Sequence, residues 1–452
     1  MLARNCGLSN QEIMSNKLEH LRAEIANLVS EYAKEQYAPK AFVPGVTVVP
    51  PSGKLLGEEE LQNMVAASLD GWLTTGRFNT LFEKKLADFL GVKYCLSVNS
   101  GSSANLVAFS TITSPKLGDR AVKKGDEVIG VAAGFPTTVN PIVQFGAIPV
   151  FVDVDIKTHN VNADLIEAAI TPKTKAIMLA HALGNPFNVG KVKEICDKYN
   201  LWLIEDTCDA LGAEFNGQKC GTFGDIGTLS FYPAHHMTMG EGGAVFMNNP
   251  ELKVIAESFR DWGRDCYCPP GCDNTCGCRF EQKHGDLPFG YDHKYVYSHS
   301  GYNLKITDMQ AACGLAQLDK LDFFIQRRRE NYAYLKSRLE TLTDFLELPE
   351  PTPNSNPSWF GFPLTVKEGA GVTRVELTRF LDDNKIGSRL LFAGNLLKQP
   401  YFKDVEYRVV GELTHTDTTM NNTFWIGVQP ALTNEQLDFV ADKLEEFFGL
   451  NF

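Results

Sequence analysis

At 452 residues, with 44% hydrophobic and 22% charged side chains, the chain is long enough for two domains with well-buried cores. A formal net charge of -12 argues against nonspecific nucleic-acid binding, which needs a basic face, and leaves room only for a local basic pocket for a phosphorylated ligand. Met1 to about Lys40 has no continuous apolar run, so neither a secretory signal nor a membrane span is expected, and the chain reads as cytoplasmic.

Gln11 to Tyr37 alternates charges with leucine and isoleucine and predicts an amphipathic helix, packed on its own or a neighbouring subunit rather than on a membrane. From about residue 92 short apolar runs alternate with helical patterns, which predicts an α/β fold with a mostly parallel sheet covered by helices. The predicted strands are Asp126 to Ala132, Pro149 to Asp153, Ala176 to His181, Leu201 to Asp206, Gly227 to Tyr232 and Gly243 to Met247, with helices such as Asn162 to Ile170 and Lys191 to Tyr199 between them. Apolar residues at three- and four-residue spacing predict a long helix within Thr307 to about Leu342. A Pro-rich connector, Pro349 to Pro357, then precedes a strand at Trp359 to Val366, a helix at Arg374 to Asn384 and a last helix from Asn434 to about Phe448, the outline of a smaller α+β domain. The expected organisation is an N-terminal helical extension (1–54), a large α/β domain (55–320) and a small C-terminal domain (321–452).

Three motifs carry candidate chemistry. Ser100-Gly101-Ser102-Ser103-Ala104-Asn105 precedes an apolar helical run; small residues let backbone amides at a helix start approach a phosphate, although an ordinary helix cap reads the same way. Asp206 ends the buried run Leu201-Trp202-Leu203-Ile204-Glu205, where an acid can pair with a protonated pyridine nitrogen or simply cap a helix. Phe135 is placed to stack on a ring or to join the core. Separately, Cys266, Cys268, Cys272, Cys276 and Cys278 crowd one segment within 264–280, which points to a metal or cluster; with no secretory leader a disulfide framework is not expected. From spacing alone a structural zinc site made within that segment is the leading explanation.

Taken together, these ordered motifs resemble the DegT/DnrJ/EryC1/StrS family of pyridoxal phosphate (PLP) sugar aminotransferases over roughly residues 55 to 450. The resemblance implies the aspartate aminotransferase fold (PLP fold type I), phosphate contacts at Gly101, Ser102 and Ser230, ring stacking by Phe135, a pyridine-nitrogen partner at Asp206 and a place near the ring hydroxyl for Asp209. It also implies that Asn303, in Gly301-Tyr302-Asn303-Leu304-Lys305, reaches the phosphate of a neighbouring subunit in a homodimer. Lys305 stands where the family more often has arginine.

Two departures from the family pattern occur together. Five residues after Ser230, where the family holds its Schiff-base lysine, stands His235; an imidazole forms no stable aldimine but moves protons near neutral pH. Cys208 lies just after Asp206, giving Cys-x57-Cys-x-Cys-x7-Cys with Cys266, Cys268 and Cys276. Both features resemble a branch of the family that uses pyridoxamine phosphate (PMP) and a [2Fe-2S] cluster on four cysteines. If Asp206 and Cys208 share a strand, their Cα atoms lie about 6 to 7 Å apart, which would bring a cluster near the ring. The implied activity is C3 dehydration of CDP-4-keto-6-deoxyglucose with His235 as the base. Electrons from a separate NAD(P)H-dependent flavin/iron–sulfur reductase would complete it, on the way to 3,6-dideoxyhexoses of a cell-surface polysaccharide. Two alternatives stay open: a cluster-free PMP dehydratase regenerated by glutamate, and a noncatalytic redox sensor or scaffold on the same fold. Arg389 and Trp72 are candidate sugar-nucleotide contacts.

Overall fold

The computed structural model describes residues 10–268 and 271–450. Eight strands form the large sheet in the spatial order Tyr94–Val98, Gly243–Met247, Ile226–Ser230, Trp202–Asp206, Thr174–Ala180, Glu127–Gly130, Ile148–Phe151 and Arg408–Val409. Every neighbouring pair is parallel except those made by Gly243–Met247, which runs against both of its neighbours. Sheets covered on both faces bury their strands throughout, and Trp202–Asp206, Ile226–Ser230 and Gly243–Met247 are buried at every position.

Alternation along a strand distributes side chains between two cores. Trp202 and Ile204 join Val107, Ala108 and Ile112 of the helix Gly101–Ile112 on one face, while Leu203 joins Val189, Val192 and Ile195 of the helix Val189–Tyr199 on the other. A third core lies in the C-terminal half. There Phe362, Leu364, Phe424 and Ile426 of a four-stranded antiparallel sheet pack on Leu437, Val440 and Leu444 of the helix Asn434–Phe447. The C-terminal half also returns to the large sheet: Arg408 pairs in register with Val150 and its guanidinium grips Glu127 at 2.7 and 3.0 Å.

The helix expected within 307–342 is two helices, Asp308–Leu318 and Leu321–Arg338, followed by a 3-10 turn. At the break Lys320 turns its ammonium onto Glu59 and Glu60, 2.8 to 2.9 Å away, and so ties the junction to the helix Glu58–Asp70. The expected N-terminal helix is present as Asn10–Gln36. The strand Tyr94–Val98 was not among those expected; its register partner is Gly243–Met247. No helix among the described residues is long and apolar enough to cross a membrane.

Candidate active site

Several elements end around one cavity of about 660 Å³. In open α/β sheets ligands bind beyond the carboxyl ends of the strands, and Asp206 and Ser230, the last residues of two adjacent strands, both line it. Ser100 caps the helix Gly101–Ile112, accepting the Ser103 N–H at 3.0 Å, so the free amides of the first turn face the same space as Ser102. Glycine at 101 is a packing requirement: a Cβ there would meet Ser230 Cβ at 2.4 Å and Cys208 Sγ at 3.0 Å. The helix start is thereby pressed against the strand end, and the resulting cradle of amides and hydroxyls suits a phosphate.

Asp206 is buried and fully engaged on one oxygen. Its Oδ2 accepts from Asn105 Nδ2 and Thr138 Oγ1, each at 2.7 Å, and Oδ1 accepts the Cys208 N–H at 3.1 Å. Asn105 is held in turn by Thr228 Oγ1, which donates to Asn105 Oδ1 at 2.7 Å. Asn105 and Thr138 were not singled out in the sequence; Asn105 sits one turn into a helix whose apolar run reads as core. Phe135, at the start of the helix Pro136–Phe145, is half exposed at 51% and makes an edge contact with Phe392 at 5.6 Å, so its ring is not core but a cavity wall.

His235 lines the cavity beside Asp209, with 3.5 Å between Nδ1 and Oδ1, and packs on Phe360 at 5.1 Å. Its Nδ1 is buried without a hydrogen-bond partner. The His235 backbone is fixed from behind by the fully buried Arg328, whose Nη2 donates to the His235 carbonyl at 3.2 Å. Burial pushes the His235 imidazole down to about 4, against the opposing pull of the Asp206 carboxylate, so it is neutral at pH 7. Burial, reinforced by the charge of Asp206, pushes the Asp209 carboxyl up to about 8. The adjacent His236 is turned away, its Nε2 2.8 Å from the Ser358 carbonyl.

No lysine among the described residues lines the cavity. Lys219 lies over Phe89 and pairs with Glu214, and Lys283 is bonded to the Leu287 carbonyl. Lys305 is packed over Trp262 at 3.4 Å beside Asp261. Arg389 lines the cavity, but Trp72 does not: it packs against Gly271 and borders a separate hollow with Cys266 and Tyr267. Asn303 is exposed on the surface, bridged to Asp261, outside the cavity of its own chain.

The cysteines divide between two hollows of the chain. Cys208 lines the cofactor cavity, whereas Cys266, Cys268 and Cys276 border a different hollow. The strand ends at Asp206, and Cys208 lies in the following turn, anchored through its N–H to Asp206 with its thiol against Gly101. The premise of a shared strand therefore fails, and the donor atoms that converge are those of Cys266, Cys276 and His293, all within 4.8 Å of one another. Within one chain Cys208 and the trio Cys266, Cys268 and Cys276 therefore border separate hollows. PMP does fit the cavity, because the cradle, the engaged acid and the unpartnered imidazole each match one part of it.

The DegT/DnrJ/EryC1/StrS aminotransferase family model matches residues 54–445. A lipopolysaccharide biosynthesis protein, RfbH, of Salmonella typhimurium is 69% identical over 433 residues, covering 96% of this chain and 99% of its own. A dTDP-4-dehydro-2,6-dideoxy-D-glucose 3-dehydratase of Saccharopolyspora spinosa is 50% identical over 93% of this chain and 90% of its own. Among solved structures, a GDP-4-keto-6-deoxymannose-3-dehydratase with a trapped PLP–glutamate geminal diamine superposes with a TM-score of 0.79 at 30% identity, covering 88% of this chain and all of the other. That structure shares the large mixed sheet and its flanking helices, and with it the PLP fold type I architecture. A chain matched by the family model over nearly its whole length, and by relatives this similar over most of theirs, belongs to the DegT/DnrJ/EryC1/StrS aminotransferase family.

Proposed function

We propose that the chain binds PMP in this cavity and dehydrates a nucleotide-linked 4-keto-6-deoxyhexose at C3, with CDP-4-keto-6-deoxyglucose as substrate, in the cytoplasm. The observation that carries the reading is a neutral imidazole, His235, facing Asp209 in a cavity lined by no lysine among the described residues. Relatives named as 3-dehydratases of dTDP- and GDP-linked sugars support the reaction class. The CDP carrier rests on the resemblance of the sequence.

When bound, PMP supplies an amine for the sugar ketone and a ring that accepts electrons. The amides of the helix start, with the Ser102 and Ser230 hydroxyls, would hold its phosphate, and Phe135 would cover one ring face. Asp206, fixed by Asn105 and Thr138, would keep a proton on the pyridine nitrogen. Asp209 would face the ring hydroxyl on one side and His235 Nδ1 on the other, leaving His235 Nε2 to take a proton from the cofactor methylene. The chemistry PMP would supply there is loss of the C3 hydroxyl with no acidic hydrogen needed at C3, and the proton that His235 would move is the one on the cofactor methylene. Asn303, exposed and away from its own cavity, would complete the phosphate site of a second copy in a homodimer.

Completion by a separate reductase, with an iron–sulfur centre relaying electrons, is the reading favoured by the cysteine-rich segment. Regeneration by glutamate is the second reading, favoured by the glutamate adduct of the related GDP-sugar enzyme.

The test is to incubate PMP-loaded protein in D2O with the CDP-, dTDP- and GDP-linked ketosugars and follow methylene exchange and loss of water by mass spectrometry. Exchange in the wild type, and its loss by 10²- to 10⁴-fold in a PMP-binding H235N variant, is expected for a general base. Undiminished exchange in H235N sinks the base assignment, and failure of the wild type to bind PMP favours the noncatalytic reading. Turnover that needs only glutamate favours the second completion.

A further inference from the structure

The helix Leu321–Arg338 carries an arginine in its interior face, Arg328, which is fully buried and which no carboxylate among the described residues pairs with. Its hydrogen bonds all go to main-chain carbonyls. Nη1 donates to Trp359 and Phe360, each at 3.1 Å, and Nη2 to His235 at 3.2 Å, while the buried Nε has no partner. A guanidinium keeps its charge in a protein, and a buried cation without a paired anion is costly; a methionine would fill similar space without that cost. What an apolar side chain cannot supply is the rigid plane of donors, which here holds two separate stretches of chain together.

Those two stretches are the ones that aim His235. The imidazole Nδ1 is buried without a hydrogen-bond partner, 3.5 Å from Asp209, so the direction of the ring is set by its backbone and by the surface it packs on. The backbone is held at both polar groups, the N–H by the Tyr232 carbonyl at 2.9 Å and the carbonyl by Arg328. The ring packs on Phe360 at 5.1 Å, and Phe360 is held likewise, its N–H by the Leu183 carbonyl at 2.8 Å and its carbonyl by Arg328. Trp425 backs Phe360 at 5.3 Å. One guanidinium thus fixes both the histidine, in the turn after the strand Ile226–Ser230, and the aromatic ring it rests on, at the entry to the strand Gly361–Val366.

We propose that Arg328 is the positioning residue of His235: by gripping the His235 and Phe360 carbonyls together it fixes the aim of the imidazole, and with it which of the two hydrogens of the cofactor methylene is within reach. The inference rests on His235 as the base. A displacement of about 1 Å at a reacting group costs about 10²-fold in rate, whereas the phosphate cradle and Asp206 make no contact with Arg328, so its loss acts on proton transfer and spares cofactor binding.

The experiment uses the full chain as wild type, R328K, which keeps the cation and loses the planar fork, R328M, and F360L, which keeps the carbonyl and loses the aromatic face. PMP affinity is measured by fluorescence titration. PMP-loaded protein is then incubated in D2O with CDP-4-keto-6-deoxyglucose, and deuterium in the released cofactor is counted by mass spectrometry. Wild type should take up one deuterium per methylene. R328K and R328M should bind PMP within about 3-fold of wild type, exchange about 10²-fold more slowly and go on to a second deuterium; F360L should also admit the second. In the cofactor-free protein, amide exchange in R328M should be at least about 10-fold faster in the peptides holding His235 and Phe360 and unchanged in the strand Trp202–Asp206. An arginine variant that keeps the wild-type rate and a single deuterium overturns the proposal. So does one in which affinity and rate fall together while uptake stops at one deuterium, the mark of a general loss of structure. Should both arginine variants fail to fold, F360L decides: a second deuterium supports the proposal, and wild-type rate with single uptake overturns it. A wild type that exchanges nothing, or an H235N that exchanges as wild type does, overturns the base assignment and this inference with it.

Discussion

Replacing Asp209 with asparagine should make the cofactor-free protein more stable, and only away from acid. The Asp209 carboxyl ordinarily titrates at 3.8, and burial beside Asp206 raises it to about 8 in the fold. Between those values the folded chain holds a proton that the unfolded chain has released. Stability is therefore intact below 3.8 and declines as pH rises toward 8. At 1.36 kcal/mol per unit, the cost at pH 7 approaches about 4 kcal/mol. The side chain keeps 15% of its exposure in a cavity open to water, so about 2 to 4 kcal/mol is the working range. An asparagine in its place would carry no such cost. For a chain of this size that corresponds to a melting temperature higher by about 2 to 4 °C at pH 7, with the gain shrinking to about 1 kcal/mol at pH 4.5. His235 works with the opposite sign: its value falls from 6.5 to about 4, so stability is lost as pH drops through that window. That loss is common to both proteins and cancels when they are compared at each pH. Scanning calorimetry of the wild type and D209N from pH 4.5 to 8 is the assay. A variant that melts at the wild-type temperature at pH 7, or below it at every pH, refutes the claim that the fold holds Asp209 at a cost.

Two further substitutions probe the cofactor cradle. G101A drives a Cβ to 2.4 Å from Ser230 Cβ, so the helix start must retreat; PMP affinity measured by fluorescence titration should fall at least about 10-fold with the circular dichroism spectrum unchanged. N105A leaves Asp206 Oδ2 with Thr138 alone and Thr228 without its acceptor, a loss of about 1 to 3 kcal/mol; PMP binding weakened about 10- to 100-fold is expected, and unaltered binding would remove Asn105 from the site.

What could be read from the sequence divides along a physical line. Features set by local rules were legible: the small-residue run that starts a helix at Gly101, the acid closing a buried strand at Asp206, and the apolar runs that became six of the large sheet's strands. The strand Tyr94–Val98 escaped because its short alternation, with Ser97 inside, looks like the approach to the serine-rich helix start. The helix break at Lys320 escaped for another reason: no proline or glycine marks it, and the ammonium found there is held by an acid 260 residues away in sequence.

The residues that finish the site are tertiary, and the pair Glu205 and Asp206 shows why. Both are buried acids on one strand, indistinguishable in composition, yet successive side chains of a strand point to opposite faces. Glu205 is spent on the backbone N–H groups of Gly221, Phe223 and Gly224 and on His181, a satisfied structural anion that faces away from the cavity. Asp206 keeps its partners to side chains and one amide at the cavity rim. The same logic separates the cysteines. Two residues past Asp206 the strand has ended, and the turn carries Cys208 under the helix start, while Cys276 folds back toward His293. Sequence spacing counts residues along the chain, but ligation depends on where the turns send them. A histidine 17 positions from Cys276 thus comes within 3.8 Å of its sulfur.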